Sequence, residues 1–236
     1  MWWKSWSECR TRVLLAGICW LFISGVVLLI LSTIGHGKNP QDFLNLYWAG
    51  LACGVTPIMT LLMAGSGINS QTSWGMLRGF HGSMYFLLSL PVSRAKALFV
   101  RAAVGAIFTL LFVVFSVLTI GLLAPATGVK IPLQSLLVRI PFMLTGAFGS
   151  YGLSTFLTMW LDEYWAGTLG MGLMGMAFGA EMTVWKSAVH FNPAQVLSGE
   201  QFLKTGAIEW PVLALMIVMG VLFLAVSAWG VERKEY

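Results

Sequence analysis

The stretch Ala102–Leu123, AAVGAIFTLLFVVFSVLTIGLL, decides what kind of protein this is. Its 22 residues contain no charge, and Arg101 stands immediately before it. A helix of that length spans about 33 Å, matching the roughly 30 Å hydrocarbon core of a bilayer. Comparable apolar runs recur on both sides of it. Upstream lie 13–34 and 43–68, the second containing Pro57. Downstream lie 141–161, with apolar character from Ile131, then a short glycine-rich run at 164–180, and 211–231, which ends in Glu232-Arg233-Lys234-Glu235. The first run is too long for a signal-peptide core of about 7–15 residues and reads as a retained span. Six spans with short connectors use up the chain, so residues 1–236 form a single domain. The expected class is all-α integral membrane.

Composition agrees with that reading. Charged residues make up 10% of the chain and hydrophobic residues 58%, with a mean hydropathy of +0.82. A soluble domain carries roughly 25% charged residues. The net charge of +5 could suggest nucleic acid, but the charges sit at the edges of apolar runs, as topology signals do. Nucleic-acid binding is therefore not expected; the expected surroundings are a lipid bilayer.

Six spans place both termini on one side. Lys4, Arg10, Arg12, Arg78, Arg94, Lys96, Arg101, Arg233 and Lys234 fall on that side. Lys38, Lys130, Lys186, Lys204 and Arg139 fall on the other when the fourth span starts at Pro141. The positive-inside rule then puts both termini in the cytoplasm. Residues 1–12 space Trp2, Trp6, Cys9 and Val13 along one helical face, which reads as an interfacial amphipathic helix or as a tail that supplies topology charges. Between spans five and six, the outer loop holds Phe191, Val196, Leu197, Phe202 and Leu203 in expected half-buried positions. Such a loop either re-enters the membrane as a short segment or packs as a lid on the helix ends.

Few residues offer chemistry. His36, His81 and His190 lie in separate connectors, and Cys9, Cys19 and Cys53 have no paired spacing, so neither a metal site nor a disulfide framework is expected. Ser66, between Gly65 and Gly67, has no His or Lys near it in sequence, and the adjacent Asp162 and Glu163 point about 100° apart on a helix. No phosphate-binding Gly-x-x-x-x-Gly-Lys-Ser/Thr loop occurs, and no cofactor or catalytic constellation is expected in this chain. Arg139 and Glu181 are the charges nearest membrane depth. Arg139 either snorkels to the outer interface or, with Glu181, lines a polar path; Glu181 alone can simply mark the end of the fifth span. Glycines 167, 170, 172, 175 and 179 suit tight packing against a neighbouring helix or subunit, or a smooth pathway wall.

The longest cytoplasmic connector carries the functional signal. Its apolar segment Met84–Val92 is nine residues long, too short to span, with Gly75, Gly79 and Gly82 before it and Pro91 near its end. It reads as a short helix at the cytoplasmic face, with Ser93 as N-cap of the helix that follows. Exposed apolar residues beside Arg94 and Lys96 suit a docking surface or a helix lying in the lipid interface. The run Leu88-Ser89-Leu90-Pro91-Val92-Ser93-Arg94, between the second and third spans, resembles the Leu-Pro-Val-Ser-Arg segment of bacterial ABC transporter permeases of the exporter type. Related permeases often carry an Arg-Glu pair and a further acidic residue just before it, where this chain has Arg78-Gly79 and Met84-Tyr85.

The resemblance implies a cytoplasmic coupling helix that docks a separate ATP-binding subunit through Tyr85, Phe86, Leu87, Leu88, Ser89, Leu90, Pro91, Val92, Ser93 and Arg94. It implies a second permease subunit, identical or paralogous, and a multi-pass location in the bacterial cytoplasmic (inner) membrane. Export of a peptide, antibiotic or lipid-like compound is the function expected from it. A non-transporting scaffold or sensor that docks a cytoplasmic partner is the alternative.

Overall fold

The computed structural model describes residues 6, 10, 13–14, 17–26, 47–48, 50–64, 94–127, 131–161, 168–170, 172 and 193–233. Among these, all regular structure is helical. In chain order the helices are α1 (Gly17–Val26), α2 (Thr56–Ala64), α3 (Arg94–Leu123), α4 (Leu133–Trp160), α5 (Pro193–Leu197), α6 (Glu200–Thr205) and α7 (Trp210–Arg233). Three of them are long and apolar enough to cross a membrane, over Phe99–Leu123, Leu133–Trp160 and Trp210–Gly230. These correspond to the third, fourth and sixth expected spans. Of the first, second and fifth, the described residues supply α1, α2 and the helical residues 168–170 and 172. The coupling segment Tyr85–Ser93, Glu181, and all of residues 1–12 except Trp6 and Arg10 lie outside the described residues.

α3 shows how a lipid-facing helix tolerates hydroxyls. Thr109, Ser116 and Thr119 donate to the carbonyls of Gly105, Phe112 and Phe115 at 3.0, 2.7 and 2.8 Å. Each thereby spends its polar proton on its own helix rather than on hydrocarbon. Ile107, Leu111, Phe115, Leu118 and Leu122 form an exposed stripe at helical spacing. α7 bares another, Leu215, Val218, Leu222, Val226 and Trp229. Apolar stripes of this length are unfavourable in water and natural in lipid.

α4 is the central helix: α2, α3, α5, α6 and α7 all pack on it. Half of its membrane-length window is buried, against 22% for α7, which sits at the edge. The fourth span was expected over 141–161, with apolar character from Ile131. Instead the helix starts at Leu133, after the extended Pro132, and passes through Pro141. Proline withholds one backbone hydrogen bond, a loss that neighbouring helices and hydroxyls make tolerable in a membrane. Thr145 supplies one such hydroxyl, donating to the Pro141 carbonyl at 2.9 Å.

α4 and α7 cross at backbone distance. A Cβ built on Gly152 would lie 2.6 Å from the Gly220 carbonyl oxygen, and one on Gly149 would lie 2.9 Å from that of Met216. Small residues permit this approach, and dispersion then holds the pair. On the opposite side the Tyr151 hydroxyl donates to the Ala102 carbonyl of α3 at 2.8 Å, over the bare backbone of Gly105.

α2 follows a π-helical turn, Leu51–Val55, in which the Thr56 N–H reaches back to the Leu51 carbonyl. Pro57 has no N–H to offer an ordinary turn at this point. Beyond it, the Thr60 and Ser154 hydroxyls share a 3.3 Å hydrogen bond that ties α2 to α4. Trp20 of α1 is fully buried, with its ring 5.9 Å from Phe112 and 6.1 Å from Tyr47. Trp6 stacks on Phe108 of α3 at 4.8 Å.

Candidate functional site

The two short helices α5 and α6 form a hairpin on the first half of α4. Gly199 joins them with φ +72°, a left-handed conformation that favours glycine. It is also a close approach, since a Cβ there would come within 3.2 Å of Phe142 and 3.3 Å of the Arg139 Cα. Gly206, φ +70°, ends α6, and its N–H donates to the Phe202 carbonyl at 2.8 Å. Ala194, Val196 and Leu197 of α5 are buried, Phe202 is partly buried against Phe142, and Leu203 is 40% exposed. The half-buried expectation for this loop thus resolves into a buried first helix and a largely exposed second one. Phe191 lies outside the described residues.

Arg139 sits under the turn of the hairpin. It is only 6% exposed and six residues, about 9 Å, inside the start of α4. This burial departs from the expectation that Arg139 snorkels from a span beginning at Pro141. Because the helix starts earlier, its side chain is committed to the protein interior. Its Nη1 donates to the Ser198 carbonyl at 2.8 Å. The guanidinium carbon lies 4.8 Å from the Trp48 ring centre, an arrangement in which the ring face attracts the cation. Glu200, 5% exposed, follows the joint residue Gly199 as the first residue of α6. Glu200 also forms an ion pair with Lys204, one turn along α6 and mostly exposed.

Each partner adds one element to the site. α4 provides the cation, the segment before the π turn provides the aromatic face, and the hairpin provides a carbonyl. A charge at membrane depth costs roughly 2.5–3.5 kcal/mol on insertion scales. A charge-assisted hydrogen bond of about 1.5–3 kcal/mol and a cation–π contact of about 0.5–2 kcal/mol are of the size needed to offset it. The arrangement can therefore hold a guanidinium in the interior and, through it, hold the hairpin down.

Of the other candidate residues, Arg94 is the first residue of α3, and Tyr85–Ser93 and Glu181 fall outside the described residues. So do Ser66, His36, His81, His190, Asp162 and Glu163. Among the described residues no cluster of His, Cys, Asp and Glu could hold a metal ion. The sequence reading did not pick out Trp48, Ser198 or Glu200, and took Lys204 only as a topology charge. The Glu200/Lys204 spacing of four, bracketed by Gly199 and Gly206, was the available sign of a short capped helix. Comparison with family models, curated proteins and solved structures finds no match to this chain.

Proposed function

We propose that this chain is the membrane-spanning permease subunit of an ABC transporter of the exporter type, with six spans and both termini in the cytoplasm of a bacterial cell. It works with a second permease subunit, while a separate subunit hydrolyses ATP. The cargo class that fits best is a peptide, antibiotic or lipid-like compound. The observation that carries this reading is the segment Leu88–Arg94, whose last residue is also the first residue of α3. A partner docked on the preceding apolar residues would push directly on the foot of a 30-residue helix. α3 in turn is linked to α4 through Tyr151 and Ala102, and α4 carries Arg139 and the hairpin. A mechanical route from the docking segment to the far hairpin is thus available through packed, hydrogen-bonded helices.

The test is co-purification from membranes in mild detergent. Tagged protein should bring down an ATP-binding subunit, and Leu87→Asp or Leu90→Asp should abolish that association without lowering the amount of protein in the membrane. Absence of any nucleotide-binding partner would refute the transporter reading and favour the scaffold. An unaltered association in both variants would place the docking surface elsewhere.

A further inference from the structure

We infer that α6 and the residues leading from it to Trp210 form an interfacial anchor in the leaflet at which α7 begins. Leu203, Ile208 and Trp210 sink into its acyl boundary, and Lys204 binds the phosphate of an anionic phospholipid. The first argument is height. α4 and α7 run in the same direction, since Gly149 meets Met216, Gly152 meets Gly220 and Gly230 meets Trp160. Continued towards the helix starts, that register sets Phe142 level with Glu209 and Trp210. α6 touches both sides: the Phe202 ring lies 5.6 Å from that of Phe142, and Gln201 Nε2 donates to Glu209 Oε1 at 3.0 Å. α6 is therefore held at the level of the first turn of α7. That level is a bilayer boundary. Trp210 and Trp229 are both exposed, and no charged residue lies between them. The helix separates them by about 28 Å, close to the roughly 30 Å hydrocarbon core. Tryptophans so spaced mark the two interfaces.

The second argument is what this element shows to its surroundings. α5 is buried and packs against α4, α7 and the π turn, which gives α6 a fixed base at this height. On that base Leu203 and Ile208 are exposed. Ile208 stands two residues before Trp210, so the apolar surface continues from the lipid-facing side of α7 onto the anchor. Lys204 is mostly exposed on the same short helix, and buried Glu200 steadies it from behind through their ion pair. An ammonium has three donors, which leaves hydrogens for phosphate oxygens beside that carboxylate. Apolar side chains in the acyl boundary with a lysine at headgroup level are the two components of interfacial binding. α6 thus lies along the boundary and does not re-enter the hydrocarbon. The inference rests on heights and exposures and stands apart from the transporter reading.

The experiment measures depth by nitroxide labels on the full chain, reconstituted into vesicles of phosphatidylcholine and phosphatidylglycerol. The background carries Cys9→Ser, Cys19→Ser and Cys53→Ser. Labels go on Leu203→Cys, Ile208→Cys and, as a mid-bilayer reference on exposed α7, Val218→Cys. Relative access to oxygen and to a water-soluble nickel chelate reports the depth of each. Leu203→Cys and Ile208→Cys should lie about 5–10 Å into the headgroup and acyl boundary, and roughly 12 Å shallower than Val218→Cys. Free access to the chelate, as on a loop in water, would overturn the anchor. The depth of Val218→Cys at either site would also overturn it, in favour of re-entry. So would exclusion of both reagents, which would mean that protein covers this surface. The headgroup contact is read from a fluorophore on exposed Thr205→Cys, quenched by brominated phosphatidylglycerol or by brominated phosphatidylcholine at the same mole fraction. The anionic lipid should be enriched about fivefold, the factor supplied by one lysine near a charged surface, and Lys204→Gln should lose most of that preference. Equal quenching by the two lipids in the parent, or an unchanged preference in Lys204→Gln, would overturn the assignment of Lys204 to the phosphate.

Discussion

Alanine at Gly152 would place a methyl carbon 2.6 Å from the carbonyl oxygen and 2.7 Å from the Cα of Gly220. Ordinary contact at such a pair begins near 3.4 Å, so α4 and α7 would have to part by about 0.7 Å. The obstacle is backbone, which cannot rotate away as a side chain can. Overpacking of this kind costs about 1–3 kcal/mol. It is opposed by the gain of about 1 kcal/mol that alanine brings to any helix interior. Gly172→Ala separates the two effects, because that position is helical and has nothing within 4 Å among the described residues. The difference between the variants isolates the steric cost, roughly 2–12 °C in unfolding midpoint for a chain of this size. Gly149→Ala should fall between them and Gly146→Ala near the control, since the latter meets only the movable Leu197 side chain at 3.3 Å. Intrinsic tryptophan fluorescence during heating in mild detergent measures the series. Equal midpoints for Gly152→Ala and Gly172→Ala would refute the close crossing.

Three further outcomes are expected. Gly105→Ala brings a methyl onto the Tyr151 hydroxyl, so Tyr151→Phe, itself costing about 0.5–1.5 kcal/mol, should partly rescue it in the same thermal assay. Additive effects of the two changes would contradict the contact. Gly199→Ala should destabilise more than Gly206→Ala: both pay about 1–2 kcal/mol for a left-handed backbone, but only Gly199 also faces Phe142 and Arg139. Reporter fusions at Gly82 and Ser198 should lie on opposite sides of the membrane, and a common side would rule out six spans.

The long apolar helices were legible because lipid imposes a length rule that any uncharged run of twenty residues meets or fails. α3 and α7 follow it closely. Which face of such a helix turns inward was not legible, since residues on every side of α3 and α7 are apolar and periodicity carries no signal. The glycines show this well. Those of the fifth span stood out by number, while among the described residues a backbone-distance crossing lies at Gly152 and Gly220, where two modest glycines meet in space. Pro141 misled for a different reason. A proline suits the first turn of a helix, but a membrane helix can also pass through one. The eight residues before it carry Arg139, so a span begun at Pro141 favoured snorkelling over the polar-path alternative for that cation. The loop's apolar residues did indicate a packed segment, but the partner of its turn could not be read from spacing 59 residues apart.

The π turn at Leu51–Val55 has a consequence for how this chain can tolerate insertions and deletions. A π turn holds one residue more than an α turn, and each residue turns a helix by about 100°. Trp48 precedes the extra residue and Thr60 follows it, yet both meet α4, one at Arg139 and the other at Ser154. Deleting a single residue between them would restore regular winding and swing one of these side chains about a quarter-turn off α4. The two contacts can coexist only while the surplus residue is retained. The length of this segment is accordingly fixed by two contacts at once.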